Sequence, residues 1–334
     1  MTGCADALVS AGFVVDNREL DGTLQKIVGY EPQRSPARLS VPARKAVLMV
    51  DALRHLVMQK KVVVNQVRAV LGVWIWGALL RRELLAIPQS IFSFCDRFAG
   101  SECDWWPSAR REAEWMASMC GAMYADLGAP VADTVFATDA MGESNQDAGG
   151  YGIVGTRCFH ALVRKCFEGD LAPGYSVVKL DGNTAGLTNP FRAIGRTIPF
   201  TKVPDQILDS PWAPLKWGRF SWPEHITIHE AKTVVMLMEA LAADVRCHRF
   251  RVLSLQDNRP VPGAFAKGRS TAGSLDYVCR QRAALAIAAE LSMLPPWTQS
   301  KLMPADELSR TCRHDDSKDE YFVIRDLKCT QVHD

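Results

Sequence analysis

The stretch Val135-Phe136-Ala137-Thr138-Asp139-Ala140 is an apolar, strand-like run that ends in a carboxylate. Asp is depleted in strands, and a buried carboxylate is costly unless something cationic neutralises it. Period-two alternation predicts that Asp139 shares a strand face with Val135 and Ala137. A turn residue at a strand end explains a single Asp here about equally well. The stretch therefore indicates a site only if other acids join it.

Three further acids follow in distinct local contexts, in the order Glu230, Asp257 and Asp306. Asp257 ends a second apolar run, Leu253 to Gln256, whereas Glu230 and Asp306 stand at the starts of helix-like runs. Four carboxylates brought together would repel one another and raise one another's pKa values unless metal ions were bound. With Asp139, these acids predict a metal site with hard oxygen ligands.

Both acids at helix starts also have structural explanations. Thr227-Ile228-His229-Glu230 has the S/T-x-x-E pattern of a capping box, in which Glu230 closes the helix start. Asp306 follows Pro304-Ala305 and suits the N-cap of a helix. These explanations remain open beside the site hypothesis, because a metal-binding acid can also stand at a helix start.

The order and sequence of the four motifs resemble the ribonuclease H domain of retroelement reverse transcriptases. The most specific motif is Pro304-Ala305-Asp306-Glu307-Leu308-Ser309-Arg310, which is most similar to gypsy-type and DIRS-type retrotransposons. The resemblance covers roughly residues 12–310 and is strongest from residue 133 onward. It implies an α/β fold, in which a ribonuclease H-like mixed sheet flanked by helices follows a mainly helical thumb or connection region.

The resemblance also implies a chemistry. Asp139, Glu230, Asp257 and Asp306 would bind two Mg²⁺ or Mn²⁺ ions and hydrolyse the RNA strand of an RNA/DNA hybrid, leaving a 5′ phosphate and a 3′ hydroxyl. Asp139 would bridge both ions. The family often carries a His shortly before its last Asp that helps product release, and Gln299-Ser300-Lys301 stands there instead. We therefore expect reduced turnover or a substitute role for Lys301.

The same resemblance divides the chain into regions. Residues 1–32 correspond to the end of a reverse transcriptase palm, and residues 33–132 to the helical thumb or connection region. The ribonuclease H-like domain spans 133–312 and carries a long insertion near 157–226, and a charged tail covers 313–334. The polymerase Asp-Asp motif and the fingers are absent from the sequence, so we expect either a degenerate copy or the C-terminal part of a longer polyprotein, whose missing polymerase part would be a partner.

A local excess of basic residues predicts contacts to the nucleic-acid backbone. Between Asn258 and Arg313, eight Lys or Arg (259, 267, 269, 280, 282, 301, 310, 313) face four acids (276, 290, 306, 307). Sequence-independent phosphate contacts need such a surface, although an ordinary solvated helix face has the same composition. The predicted contact residues are Lys267, Arg269, Arg280, Arg282, Lys301 and Arg310.

Composition narrows the class of protein. The chain has 334 residues, enough for about two domains. Its net charge is only +2, so any electrostatic attraction to a charged partner must come from local patches of charge. Its ten Cys form no CxxC pair, which favours reduced thiols in the cytoplasm or nucleus. The longest apolar run, Ala69 to Leu80, is too short to span a bilayer, so no membrane association is expected. A zinc site in the C-terminal tail is disfavoured by its spacing, and its candidate ligands are Cys312, His314, Cys329 and His333.

Two other functions fit the same residues. One is a catalytically inactive, nucleic-acid-binding remnant of a reverse transcriptase. The other is a DNA-directed nuclease of the same broad fold, such as a resolvase or an integrase. Metal-linked stabilisation would separate the first from an enzyme, and the preferred nucleic-acid strand would separate the second.

Overall fold

The computed structural model describes residues 29–142, 148–168 and 203–311. The predicted palm remnant up to residue 28, the middle of the predicted insertion (169–202) and the tail with its four candidate zinc ligands lie outside these residues. Within them the protein is a mixed α/β structure. It has a helical N-terminal part and a five-stranded sheet covered by helices.

Four helices dominate the N-terminal part, and two small antiparallel sheets accompany them. The helices are α1 (Ala43–Met58), α2 (Val64–Ala78), α3 (Gln89–Arg97) and α4 (Pro107–Met119). One sheet has the order β1-β2-β5, the other pairs β3 with β4, and their strands are β1 (Glu31–Gln33), β2 (Arg38–Ser40), β3 (Lys61–Val63), β4 (Glu102–Asp104) and β5 (Tyr124–Asp126).

The apolar spacing of α2 explains why this part folds. Val67, Leu71, Trp74 and Ala78 recur at helical intervals and are all buried. The Trp74 indole packs in the centre of the helical core and donates a hydrogen bond of 3.0 Å to the carbonyl of Met116 on α4. These helices occupy most of the stretch from about 40 to 130, where the spacing of apolar residues in the sequence predicts helices.

The second part is built on a mixed five-stranded sheet. Its strands are β6 (Val131–Ala140), β7 (Gly150–Arg157), β8 (Ala213–Arg219), β9 (Arg251–Leu255) and β10 (Ser292–Leu294). The central strand, β6, pairs antiparallel with β7 and parallel with β9, which gives the order β10-β9-β6-β7-β8. The β9–β10 pair is parallel and the β7–β8 pair is antiparallel.

Helices cover both faces of this sheet. The helices are α5 (His160–Glu168), α6 (Asp205–Leu208), α7 (Ile226–Ala243), α8 (Pro260–Lys267), α9 (Gly273–Ala288) and α10 (Asp306–Thr311). Alternation along β6 places Phe136 in one core, with α7 and α9, and places Val135 and Ala137 in the other, with α5, α6 and residues next to α10.

The structure corrects the sequence-based boundaries after α9. The sequence predicts a helix from Ser274 to Leu294, followed by a short strand near Trp297. Instead α9 ends at Ala288, because Glu290 takes a positive φ of 51° and Leu291 N then donates to the carbonyl of Ala286. The fifth strand is therefore β10, and Trp297 forms only an isolated parallel bridge with Gln256.

No helix in the described part of the chain combines the length and the apolar character that crossing a bilayer requires.

Candidate metal centre

The topology brings the predicted strand acids to one end of the sheet. Asp139 is the penultimate residue of β6, and Asp257 lies two residues beyond the end of β9, the parallel neighbour of β6. Glu230 is the fifth residue of α7, which packs against β6. The carboxyl ends of parallel strands share one sheet edge, so acids far apart in sequence converge there.

Three of the four predicted acids form a cluster. Carboxylate oxygens of Asp139, Glu230 and Asp257 all lie within 4.8 Å of one another. Asp139 and Glu230 are each only 3% exposed, whereas Asp257 is partly exposed. Carboxylates that are ionised while buried at this separation need a cation to offset their charge. Glu230 Oε2 has no hydrogen-bond partner among the described residues, so an oxygen remains free to bind one. The donor set fits a divalent cation such as Mg²⁺ or Mn²⁺.

Burial and mutual repulsion raise the pKa values of two acids. The pKa of Asp139 is raised to about 7, chiefly by burial and further by Asp257 and Asp306, although a hydrogen bond from Ser309 opposes the shift. The pKa of Glu230 is raised to about 9, again chiefly by burial and then by the charges of Asp139 and Asp257. The metal-free cluster therefore retains protons at neutral pH, which a bound cation would displace.

Asp306, the fourth predicted acid, lies beside this cluster but outside the group of three. Its Oδ1 atom accepts hydrogen bonds from Arg310 Nε at 2.9 Å and from Arg310 Nη2 at 2.7 Å. It is close enough to raise the pKa values of Asp139 and Glu230. Arg310, predicted as a nucleic-acid contact, is thus exposed but paired with a site residue.

Ser309 is a site residue that the sequence analysis did not single out. It is completely buried, and its hydroxyl donates to Asp139 Oδ2. Two glycines allow this approach, because a Cβ atom at Gly150 would lie 2.3 Å from Ser309 O and one at Gly152 would lie 2.9 Å from Ser309 N. Gly152 pairs with Asp139 across the sheet. The alternating glycines of Gly150-Tyr151-Gly152 are the sequence feature that could have predicted this close approach of Ser309 to β7.

A buried polar pair joins the two strands that carry the acids. Gln256 Nε2, immediately before Asp257, donates to Thr138 Oγ1, immediately before Asp139, and lies 3.2 Å from Ser254 Oγ. All three side chains are fully buried. Because each partner adjoins an acid, this hydrogen bond fixes the relative positions of the two strand ends.

The helix boundaries test the capping explanations for the two acids at helix starts, Glu230 and Asp306. The capping-box explanation for Glu230 is wrong, because α7 begins at Ile226 and its N-cap is His225, whose Nδ1 accepts from Thr227 N at 3.2 Å. The carboxylate of Glu230 instead accepts a hydrogen bond from the backbone of Ala140 at the end of β6. Asp306 is the first residue of α10.

Two of the predicted nucleic-acid contacts are used inside the protein. Arg282 is 3% exposed, and its guanidinium lies between the carbonyl of Phe265 and Glu83. Arg280 donates to the carbonyl of Ala86 at 2.9 Å and to Glu112 at 2.7 Å. Both arginines attach α9 to the N-terminal part. Both guanidinium groups are therefore engaged by protein partners.

The other predicted basic contacts are exposed. Lys267 ends α8, and Arg269 follows it with its guanidinium 5.0 Å from the centre of the Phe92 ring. Lys301 lies in the short 3₁₀ helix Ser300–Leu302 between β10 and α10. These three side chains remain candidates for phosphate contacts.

No protein-family model and no curated protein matches the chain.

Proposed function

We propose that this chain is a retroelement-derived ribonuclease H that cleaves the RNA strand of RNA/DNA hybrids at a site holding two Mg²⁺ or Mn²⁺ ions. The observation that carries the proposal is the convergence of Asp139, Glu230 and Asp257, whose carboxylate oxygens lie within 4.8 Å of one another. A hydrolytic metal centre for phosphodiesters requires such a set of hard oxygen ligands.

The fold offers independent support. A mixed five-stranded sheet flanked by helices is the architecture that the resemblance to ribonuclease H implies, and the four acids stand on the elements that it assigns to them. These are a strand end for Asp139, the first turns of a long helix for Glu230, a second strand end for Asp257 and a closing helix for Asp306.

The chain's own groups have definable tasks in this reaction. Asp139, Glu230 and Asp257 would hold the ions, and Asp306 would complete the ligand set by exchanging its Arg310 partner for a cation. The Ser309 hydroxyl donates a hydrogen bond to Asp139 Oδ2. This hydrogen bond occupies one carboxylate oxygen and would orient the other toward a bound ion. Bound metal would supply activation of the attacking water and neutralisation of charge on the leaving oxygen. Asp139 and Glu230 are buried, and burial strengthens electrostatic interactions with a bound cation.

Exposed basic residues would hold the substrate. Lys267, Arg269 and Lys301 carry positive charges that would contact backbone phosphates, and such contacts do not depend on the nucleotide sequence. A hybrid would be distinguished from duplex DNA by contacts to 2′-hydroxyls in its wide minor groove. In the proposed setting, a polymerase part of the same polyprotein would supply the hybrid, in the cytoplasm or nucleus.

The proposal is tested by incubating the protein with an end-labelled RNA/DNA hybrid in Mg²⁺ or Mn²⁺, beside single-stranded RNA and duplex DNA. We expect cleavage of RNA in the hybrid alone. Asp139→Asn should reduce the rate by more than about 100-fold, because it weakens the central ligand. Asp51→Asn, which changes an exposed acid on α1, is the matched control and should leave the rate unchanged.

Two other results would redirect the proposal. Cleavage of duplex DNA in preference to the hybrid would favour a DNA-directed nuclease. A folded protein that binds hybrid but cuts no strand in either metal would indicate the inactive binding remnant.

A further inference from the structure

An arginine and a tryptophan form an exposed pair next to the metal centre. The Trp297 indole nitrogen donates a hydrogen bond of 2.7 Å to the carbonyl of Asp257, one of the three clustered acids. The Arg259 guanidinium carbon lies 4.6 Å from the centre of the indole ring. We call these two side chains the Arg259–Trp297 pair. Arg259 is one of the eight basic residues in the local excess between Asn258 and Arg313, but it is not among the six predicted contact residues.

The backbone around Trp297 is held firmly against the strand that carries Asp257. Trp297 forms a parallel bridge with Gln256, Gln256 N donates to Pro296 O at 3.0 Å, and Thr298 N donates to Gln256 O at 2.8 Å. The indole is therefore fixed at both its backbone and its ring nitrogen. It is nevertheless 41% exposed, so its position is set while part of its surface stays available.

The charge of Arg259 is available as well. Its side chain is exposed, and within the described residues no ion pair joins it to a carboxylate. A guanidinium that served only to stabilise the fold would more often pair with an acid or carbonyl groups, as Arg280 and Arg282 do here. A planar cation held over an indole ring has the shape and charge to contact a phosphate, and the indole can pack on a base or sugar.

We infer that the Arg259–Trp297 pair contacts the nucleic-acid strand at the nucleotide next to the phosphate bound at the metal centre. Arg259 pairs with a backbone phosphate, and the exposed surface of Trp297 packs against the adjoining base or sugar. This inference rests on the proposed function and deepens it. It names a contact that acts on substrate binding and leaves the affinity for metal alone unchanged.

The test is binding of an RNA/DNA hybrid with Ca²⁺ in place of Mg²⁺, measured by fluorescence anisotropy at several salt concentrations. Arg259→Gln should weaken binding by about 3- to 30-fold, and the slope of log K against log salt should fall by about one. Trp297→Ala should weaken binding by about 5- to 100-fold. Trp297→Phe keeps an aromatic ring and should lose less.

Two controls separate a contact from structural damage. Arg54→Gln removes an exposed arginine of α1 and should change neither the affinity nor the salt slope. Mn²⁺ affinity of the free protein, measured by calorimetry, should be the same in Arg259→Gln as in the unmodified protein, because the substitution leaves Asp257 and its carbonyl contact in place.

The outcomes distinguish this inference from the proposed function. Equal affinity and salt slope for Arg259→Gln and the unmodified protein would overturn the inference and leave the nuclease proposal standing. Weaker binding by Arg259→Gln, in a protein that cuts no hybrid, would support the inference and count against the nuclease. If the unmodified protein binds no hybrid, both are overturned.

Discussion

At the residue scale, the central feature is a set of carboxylates that are unfavourable without a cation. Asp139 and Glu230 are buried, close to each other and close to Asp257, which raises their pKa values to about 7 and about 9. A protein that merely needed to fold would be more stable with apolar residues there. The cluster is therefore better explained by a role in binding a cation than by a contribution to the stability of the fold.

These pKa values predict how stability depends on pH. Both carboxyls have higher pKa values in the folded state than their ordinary values of 3.8 and 4.5. The stability that they contribute is therefore present below about pH 4 and is lost as pH rises through about 7 and 9. In chelator, we expect the free energy of unfolding to fall by several kcal/mol between pH 5 and pH 9, because each pKa unit corresponds to about 1.4 kcal/mol. Denaturant titration across this range measures it.

A matched pair of variants assigns that loss to the cluster. Glu230→Gln should remove most of the pH dependence, whereas Glu239→Gln, an exposed acid on the same helix, should leave it intact. Added Mg²⁺ should stabilise the unmodified protein more at pH 8 than at pH 6, because the cation competes with protons for the same oxygens. An identical pH profile in Glu230→Gln would contradict this explanation.

Ser309 supplies a second prediction at this scale. Ser309→Ala removes the hydroxyl that donates to Asp139 Oδ2. Because such supporting hydrogen bonds orient metal ligands, we expect Mn²⁺ affinity to fall by about 10- to 100-fold while the protein remains folded. Calorimetric titration with Mn²⁺ measures this. Ser93→Ala, on α3, provides a serine control whose affinity should not change.

At the scale of elements, the sequence predicts what local patterns encode. The apolar run Val135–Ala140 identifies the central strand, and the helical spacing of apolar residues identifies α2. The end of α9 was missed because Glu290 adopts a positive φ without a glycine to signal it. The roles of Arg280 and Arg282 were missed because their partners lie about 170 to 200 residues away in sequence. The convergence of the acids was anticipated through the order of their motifs, whereas Ser309 required the docking of α10 to be known.

The docking of α10 depends on the absence of a side chain on β7. A Cβ atom at Gly152 would lie 2.9 Å from Ser309 N and 3.0 Å from Ala305 O. Gly152→Ala should therefore displace α10, lower stability by about 1–3 kcal/mol and weaken Mn²⁺ binding. Thermal unfolding with and without Mn²⁺ tests this. A Cβ atom added at Gly72 on α2 would meet nothing within 4 Å. Gly72→Ala should therefore leave the stability unchanged or raise it slightly. Equal behaviour of the two variants would contradict the proposed docking.

At the scale of the whole molecule, charged residues join the helical part to the sheet. Glu112 of α4 is 2% exposed and accepts from Arg280 at 2.7 Å and from Ile91 N at 2.9 Å. Tyr124 of β5 donates to Glu290 at 2.9 Å, next to β10. Such contacts hold the two parts in one arrangement, which would keep a bound duplex aligned with the metal centre.

Loss of Arg280 should therefore affect folding more than nucleic-acid binding. Arg280→Ala leaves Glu112 buried without its cation and should lower the free energy of unfolding by about 3 kcal/mol. Arg111→Ala, an exposed neighbour on α4, should change it by less than about 0.5 kcal/mol. Denaturant unfolding measures both. A variant of unchanged stability with a reduced salt slope for hybrid binding would restore Arg280 as a phosphate contact.

Mn²⁺ titration calorimetry at pH 7 decides whether Asp139, Glu230 and Asp257 form a metal centre. The unmodified protein should bind Mn²⁺ and release protons, seen as a binding heat that changes with the ionisation enthalpy of the buffer. Asp139→Asn should lose binding, and Asp51→Asn should retain it. A folded, unmodified protein that shows neither binding heat nor stabilisation by Mn²⁺ would contradict the account.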